Sequence, residues 1–268
     1  MRLIVSMRSG STMTKHLTKV LRKLGDKVRS LKNTKHLIED IYKVKVVSPK
    51  MSLASLDVVD LFTSIDRNDA IGILSEKLKQ DISWKADTSL NEDTIINMVK
   101  FLTDNVYFQF GEHYYQQKHG LPMGFSLSPL LADIVLSDFI EKYWDRARFP
   151  FAYFGRYVDD GLLISELSED QVKELVEDLN SKTTNLKFTF EFEKNNQLPF
   201  LDVLIAIDKI NKKFTTSWFR KETASNYLLN FHSNHNSAIK NNIVKNMTNR
   251  VLVANNGHKN EKDLNDLQ

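Results

Sequence analysis

Aspartates in two separated segments are the residues best suited to chemistry in this chain. Asp159 and Asp160 stand side by side before Gly161, between two short apolar-aromatic runs, and Asp57 lies far upstream in a run rich in Val, Leu and Phe. Carboxylates held at strand ends can bind two Mg2+ ions about 4 Å apart, one activating an attacking hydroxyl and one steadying a leaving pyrophosphate. Phosphoryl transfer asks for positioning and charge neutralisation rather than elaborate covalent chemistry, so aspartates on rigid strands suit it. Adjacent like charges repel unless a cation compensates them. Asp-Gly is also frequent in hairpin turns, so the pair alone fits two solvated turn aspartates equally well. Lys187 and Lys194 read as solvated strand lysines. His232 and His235 have no acidic or Cys partner nearby and read as backbone or core contacts.

Several elements must position these residues. Ser52–Phe62 has strand composition, and Asp66-Arg67-Asn68-Asp69 after it reads as the start of a capped helix. A helix fits 92–103. Tyr107–Phe110 and Tyr114–Gln117 flank Gly111-Glu112 as a hairpin that delivers the chain to His119-Gly120-Leu121-Pro122-Met123-Gly124, and a further helix follows from Ser128 to about Arg146. Phe151–Ile164 is a hairpin with the acidic pair at its turn. Ser168-Glu169-Asp170-Gln171 opens a helix as a capping box, with Val172, Leu175, Val176 and Leu179 on its buried face. Leu186, Phe188, Phe190 and Phe192 then alternate with Lys187, Thr189, Glu191 and Glu193, a half-solvated strand that Asn195-Asn196 turns into a strand over 198–207. Upstream, Thr12–Leu24 has a helical apolar period and a basic outer face. The implied class is α+β, an antiparallel sheet with packed helices.

Charge is segregated along the chain. Residues 1–50 hold 13 basic against 3 acidic residues, 51–204 hold 14 against 26, and 205–268 hold 10 against 5. Basic ends around an acidic centre suit a polyanion, since phosphate neutralisation and counterion release supply most sequence-independent affinity for nucleic acid. There is no cysteine, so any metal must sit on oxygen or imidazole, which favours hard cations. The apolar stretches fall well short of the roughly 20 residues of a membrane span. No leader pattern is visible, and an intracellular location is expected, without deciding between nucleus and cytoplasm.

Tyr157-Val158-Asp159-Asp160 resembles the Tyr-x-Asp-Asp box of reverse transcriptases. In the right order along the chain, 55–65 (Ser-Leu-Asp-Val-Val-Asp-Leu-Phe-Thr-Ser-Ile) resembles their first palm motif, and 120–129 (Gly-Leu-Pro-Met-Gly-Phe-Ser-Leu-Ser-Pro) resembles the motif beneath template and incoming nucleotide. Leu198-Pro199-Phe200-Leu201-Asp202-Val203, Phe219-Arg220-Lys221, Tyr227-Leu228 and Ser233-Asn234-His235 are similar to enzymes of Penelope-like retroelements, and Arg2-Leu3-Ile4-Val5-Ser6 is similar to that family's finger motif.

The resemblance implies a polymerase palm over 51–207, partial fingers over 1–50 and a partial thumb or connection over 208–268. It implies a catalytic, metal-binding triad of Asp57, Asp159 and Asp160 with two Mg2+ ions. It also implies Asp60 and Arg2 near the triphosphate, Phe62 as the ring that excludes a 2′-hydroxyl, and Gly124, between Pro122 and Pro129, where the backbone approaches the base pair. The partners it implies are an RNA template, a DNA primer and deoxynucleoside triphosphates, with no membrane; oligomeric state is left open. Leu3, Phe125 and Glu222 depart from the family pattern, none at a metal ligand. The finger strand that would pair with Arg2–Ser6 is expected before Met1, and the chain then reads as truncated at both ends, without the family's endonuclease. Two alternatives remain: a catalytically weak nucleic-acid-binding remnant, and an RNA-dependent RNA polymerase, against which Phe62 argues.

Overall fold

A computed structural model describes residues 2–4, 8–25, 30–46, 48–221, 223, 229–258 and 263, with backbone only up to residue 11. Val5, Ser6, Glu222, Tyr227 and Leu228 therefore lie outside the described residues. The strands are β1 (Arg2–Ile4), β2 (Ser52–Val58), β3 (Tyr107–Phe110), β4 (His113–Gln116), β5 (Tyr153–Tyr157), β6 (Asp160–Ser165), β7 (Phe188–Phe192), β8 (Gln197–Phe200), β9 (Val203–Asp208) and β10 (Lys213–Trp218). The helices are α1 (Arg8–Leu21), α2 (Thr34–Ile41), α3 (Leu61–Ser64), α4 (Arg67–Gln80), α5 (Glu92–Asp104), α6 (Ser128–Tyr143), α7 (Glu169–Ser181) and α8 (Ser237–Ala254). No described helix is long and apolar enough to cross a membrane.

Two compact units interleave along the chain: Met1–Ser30, Asp57–Phe149 and Lys173–Thr189 form one, and Leu31–Leu56, Pro150–Val172 and Phe190–Gln268 form the other. In the first, α1, α4, α5 and α6 bury Leu17, Leu21, Leu74, Leu78, Ile95 and Val99. The polar run after β2 does cap α4, with the Asp66 carboxylate accepting from the Asn68 and Asp69 amides. The first unit also holds the three-stranded sheet β1-β3-β4. β1 is the edge strand and pairs downstream on its other side, with Arg2 opposite Gln109 and Ile4 opposite Tyr107. Part of the basic charge at this end is met internally: Lys19, in the last turn of α1, and Lys23, just beyond it, pair with Asp87.

In the second unit the core gathers Leu37, Ile38 and Ile41 from α2 with Leu53, Leu162, Ile164, Phe200, Val203 and Ile205. Its sheets run β5-β6-β2-β7 and β10-β9-β8. The expected strand over 198–207 is instead the hairpin β8–β9: Phe200 pairs with Val203, and Leu201 turns the chain at φ 55°. Apolar residues on both sides of a two-residue turn look continuous in sequence, and only the ladder shows the break. The capping box of α7 is present, Ser168 N donating to Gln171 Oε1 and Gln171 N to Ser168 Oγ. Glu193 departs from the solvent-facing role that alternation assigned it. Its side chain is 9% exposed, and its carboxylate accepts from Leu53 N at 3.2 Å.

The loop that leads into α6 is clasped in place. Arg67, itself buried, donates from Nε to the Gly120 carbonyl and from Nη2 to the Gln117 carbonyl, both at 2.8 Å. Gly120 has φ +73°, and a Cβ there would lie 2.7 Å from Thr63 Cα. Gly120→Ala combines left-handed strain with a backbone clash and should destabilise by about 2–4 kcal/mol. Gly111→Ala, at φ +61° with open space around it, should cost only about 1–2 kcal/mol. Thermal melts of the two variants check this; equal losses would show that the Thr63 contact is not limiting.

Burial pushes the Glu193 carboxyl up from its ordinary range, opposed by Lys209 and the Leu53 amide. A carboxyl raised on folding disfavours the native state as pH climbs through its unfolded and folded values. Glu193→Gln, which keeps an acceptor for Leu53, should therefore raise the melting temperature at pH 7 and leave it nearly unchanged at pH 4. The same shift at both pH values would refute the titration.

Candidate functional site

The β5–β6 ladder ends with Tyr157 opposite Asp160, which leaves Val158 and Asp159 as a two-residue loop. The acidic pair thus straddles the junction: Asp159 is in the loop and Asp160 begins β6, rather than Asp160-Gly161 forming the turn. Val158 sits at φ 56°. Primed hairpin turns need positive φ at the first loop position, and a β-branched residue there costs about 1–2 kcal/mol. Arg156, only 2% exposed, donates from Nη1 to the Val158 carbonyl at 2.8 Å, while its own carbonyl accepts from Leu31 N at 2.7 Å. A buried guanidinium therefore bonds the strained residue. Sequence reasoning passed over Arg156; the signal was a charged residue in an otherwise apolar-aromatic strand.

β2 runs antiparallel to β6 from Ser52 opposite Ser165 to Leu56 opposite Gly161. Asp57, half-buried, is the next residue on β2. The backbone thus sets Asp159 and Asp160 on one turn. Among the described residues, no three or more His, Cys, Asp or Glu side chains form a group that could hold a metal ion.

The remaining candidates belong to the first unit. Asp60 takes a left-handed conformation, φ 52°, at the start of α3; its carbonyl accepts from the Thr63 and Ser64 amides, and its exposed carboxylate makes no capping bond. Phe62 is half-buried between the buried Leu61 and Ile65, so it is not a plain core aromatic. Its carbonyl accepts from Leu121 N at 2.6 Å, which fastens the Asp60–Phe62 segment to the Gly120–Gly124 loop. Gly124 is exposed at φ +81°, a backbone conformation that glycine adopts without strain. Ser128 Oγ donates to the Pro122 carbonyl at 2.7 Å and closes that loop onto α6. Arg2 is placed by backbone alone, opposite Gln109.

Residues in the second unit complete the survey. A cavity of about 660 Å³ is lined by Thr34, Tyr157, Asp202, Asn246, Asn249 and Arg250, among others. Asp202, in the Leu-Pro-Phe-Leu-Asp-Val segment, accepts from Thr34 Oγ1 at 2.6 Å and Arg250 Nε at 3.1 Å, so it ties α2 and α8 to the β8–β9 turn. His232 and His235 are exposed, His235 touching Ser233 Oγ at 3.1 Å and His232 meeting Phe231 edge-on, so neither belongs to the core. Lys194, just after β7, is exposed, as is Lys187 of the first unit, just before it.

The model of the family described as reverse transcriptase (RNA-dependent DNA polymerase) matches residues 1–228. Apo telomerase from Candida tropicalis shares the fold at a TM-score of 0.60, with 14% identity over 96% of this chain and 48% of that one. The RNA polymerase complex inside a dsRNA virus matches at a TM-score of 0.51, with 14% identity over 81% of this chain and 21% of that one. The type II restriction enzyme MjaIII of Methanocaldococcus jannaschii is 31% identical over 99 residues, 33% of this chain and 34% of that protein. The chain thus spans under half the length of these structures and about a third of the curated relative. The architecture is a palm-type α+β fold, as in telomerase and viral polymerases. With most of its length matched by the family model, the chain belongs to the reverse transcriptase family.

Proposed function

We propose that this chain catalyses RNA-directed DNA synthesis, adding deoxynucleotides to a primer 3′-hydroxyl on an RNA template, and that it derives from a Penelope-like retroelement inside the cell. The observation that carries the reading is the register of the central sheet. Leu56 stands opposite Gly161, the residue after Asp160, and the β5–β6 turn holds Asp159 and Asp160 side by side.

Asp57, Asp159 and Asp160 would hold Mg2+ by drawing together on the ion, since the described side chains do not form such a group on their own. The donor set fits a hard cation, being all carboxylate oxygen in a chain without cysteine. When bound, the ions supply activation of the primer hydroxyl and neutralisation of charge on the leaving pyrophosphate. The Phe62 ring excludes a ribose 2′-hydroxyl by clash, which favours deoxynucleotides over the ribonucleotides of an RNA polymerase. Gly124 lets the backbone come against the base pair, and Asp60 and Arg2 would serve the triphosphate. Residues 51–207 act as palm, with 1–50 as fingers and 208–268 as thumb.

Primer extension on an RNA template with Mg2+ tests the reading directly. Asp159→Asn should lower nucleotide addition by more than about 100-fold, since even residues behind the ligands cost 10–100-fold. Template binding should hardly change, because the substitution relieves repulsion among the acids. An active Asp159→Asn variant would overturn the metal assignment, and a parent chain that binds template without extending it would identify a remnant.

Phe62→Ala should raise ribonucleotide incorporation relative to deoxynucleotide incorporation by at least tenfold, because losing a steric block changes discrimination without any new attraction. Single-nucleotide incorporation kinetics read the ratio. An unchanged ratio in a less stable protein would make Phe62 a packing residue only.

A further inference from the structure

The hairpin β3–β4 is built almost wholly of rings. Its strand residues are Tyr-Phe-Gln-Phe and His-Tyr-Tyr-Gln, with no aliphatic side chain and no carboxylate. Phe108 lies opposite Tyr115 and Phe110 opposite His113. Directly opposed residues, and residues two apart on one strand, share a face, so Phe108, Phe110, His113 and Tyr115 make one continuous aromatic face. Phe108 and Tyr115 stack with centroids 5.4 Å apart and planes 16° from parallel. Phe110 is 66% exposed and Tyr115 43%. Such a patch of exposed rings marks an interaction surface rather than a scatter of surface apolar residues.

We propose that this face is a stacking platform for the unpaired part of the template strand. Nucleobases match its chemistry, because every base has a π-face and stacks on aromatic side chains whatever its sequence. The platform is fastened to the loop assigned above to the template base. β4 runs directly into Gln117, and Arg67 holds the Gln117 and Gly120 carbonyls at 2.8 Å. A strand arriving at Gly124 is the single strand the hairpin is tied to meet. This inference rests on the polymerase reading for its choice of strand.

The test compares binding of the intact chain to a blunt duplex, a duplex with an unpaired 5′ template extension and one with an unpaired 3′ primer extension. The parent should bind the template extension more tightly than the blunt end. Phe110→Ala and Tyr115→Ala should each remove about tenfold of that gain, with blunt-end affinity and the slope of affinity against salt unchanged, because stacking neutralises no phosphate. Phe110→Leu should behave like Phe110→Ala, whereas Tyr115→Phe should keep the gain, which separates ring stacking from general apolar contact or a loosened hairpin. A gain that survives in both alanine variants, or that appears equally with the primer extension, would overturn the proposal. Asp159→Asn should lose nucleotide addition and keep the gain. Failure of the catalytic reading therefore shows in extension alone, and failure of the platform shows in binding alone.

Discussion

Two carboxylates on consecutive residues repel one another, and at Asp159-Asp160 the chain must hold that repulsion at the end of a hairpin only two residues wide. The turn meets a second cost at Val158, a β-branched residue in left-handed backbone. Neither conformation would persist in an isolated hairpin, which is marginal in water. It persists because β6 is held on both sides, by β5 and by β2, and because Arg156 donates to the Val158 carbonyl from a buried position. The buried core of Leu53, Leu162 and Ile164 then makes the register costly to slip, since a shift of one residue would turn each apolar side chain to the opposite face.

The same logic governs the first unit. The segments 57–65 and 117–124 are far apart in sequence and carry the residues assigned to sugar and template. A short amide-to-carbonyl bond joins Leu121 to Phe62, Gly120 packs against Thr63 with no room for a Cβ, and Arg67 takes up two loop carbonyls. Buried carbonyls that would otherwise lack partners are thereby satisfied, and the loop keeps one shape. Rigid backbone under a nucleotide is what phosphoryl-transfer chemistry requires, because positioning supplies most of its rate.

Charge is used in two distinct ways. Lys19 and Lys23 are drawn to Asp87 and anchor α1, so part of the basic N-terminal excess is structural. Asp202 in turn takes Arg250 and Thr34 beside Tyr157. Counting charges by segment therefore overstates what is presented to a polyanion, and the exposed rings on β3–β4 leave no trace in that count.

What the sequence determined by itself was local. The capping box at Ser168 and Gln171, the Asp66 cap, the helix over 92–103, the hairpin around Gly111 and the buried stripe of α7 all depend on hydrogen bonds or periodicities spanning a few residues, and they stand where the pattern put them. Tertiary structure decided the rest. Only the ladder could show that β1 pairs with β3, or that 198–207 folds back on itself, since both depend on which strands meet. Burial of Glu193 and Arg156 was hidden for a related reason: a charged side chain enters the interior when non-local backbone groups, here the Leu53 amide and the Val158 carbonyl, are there to receive it.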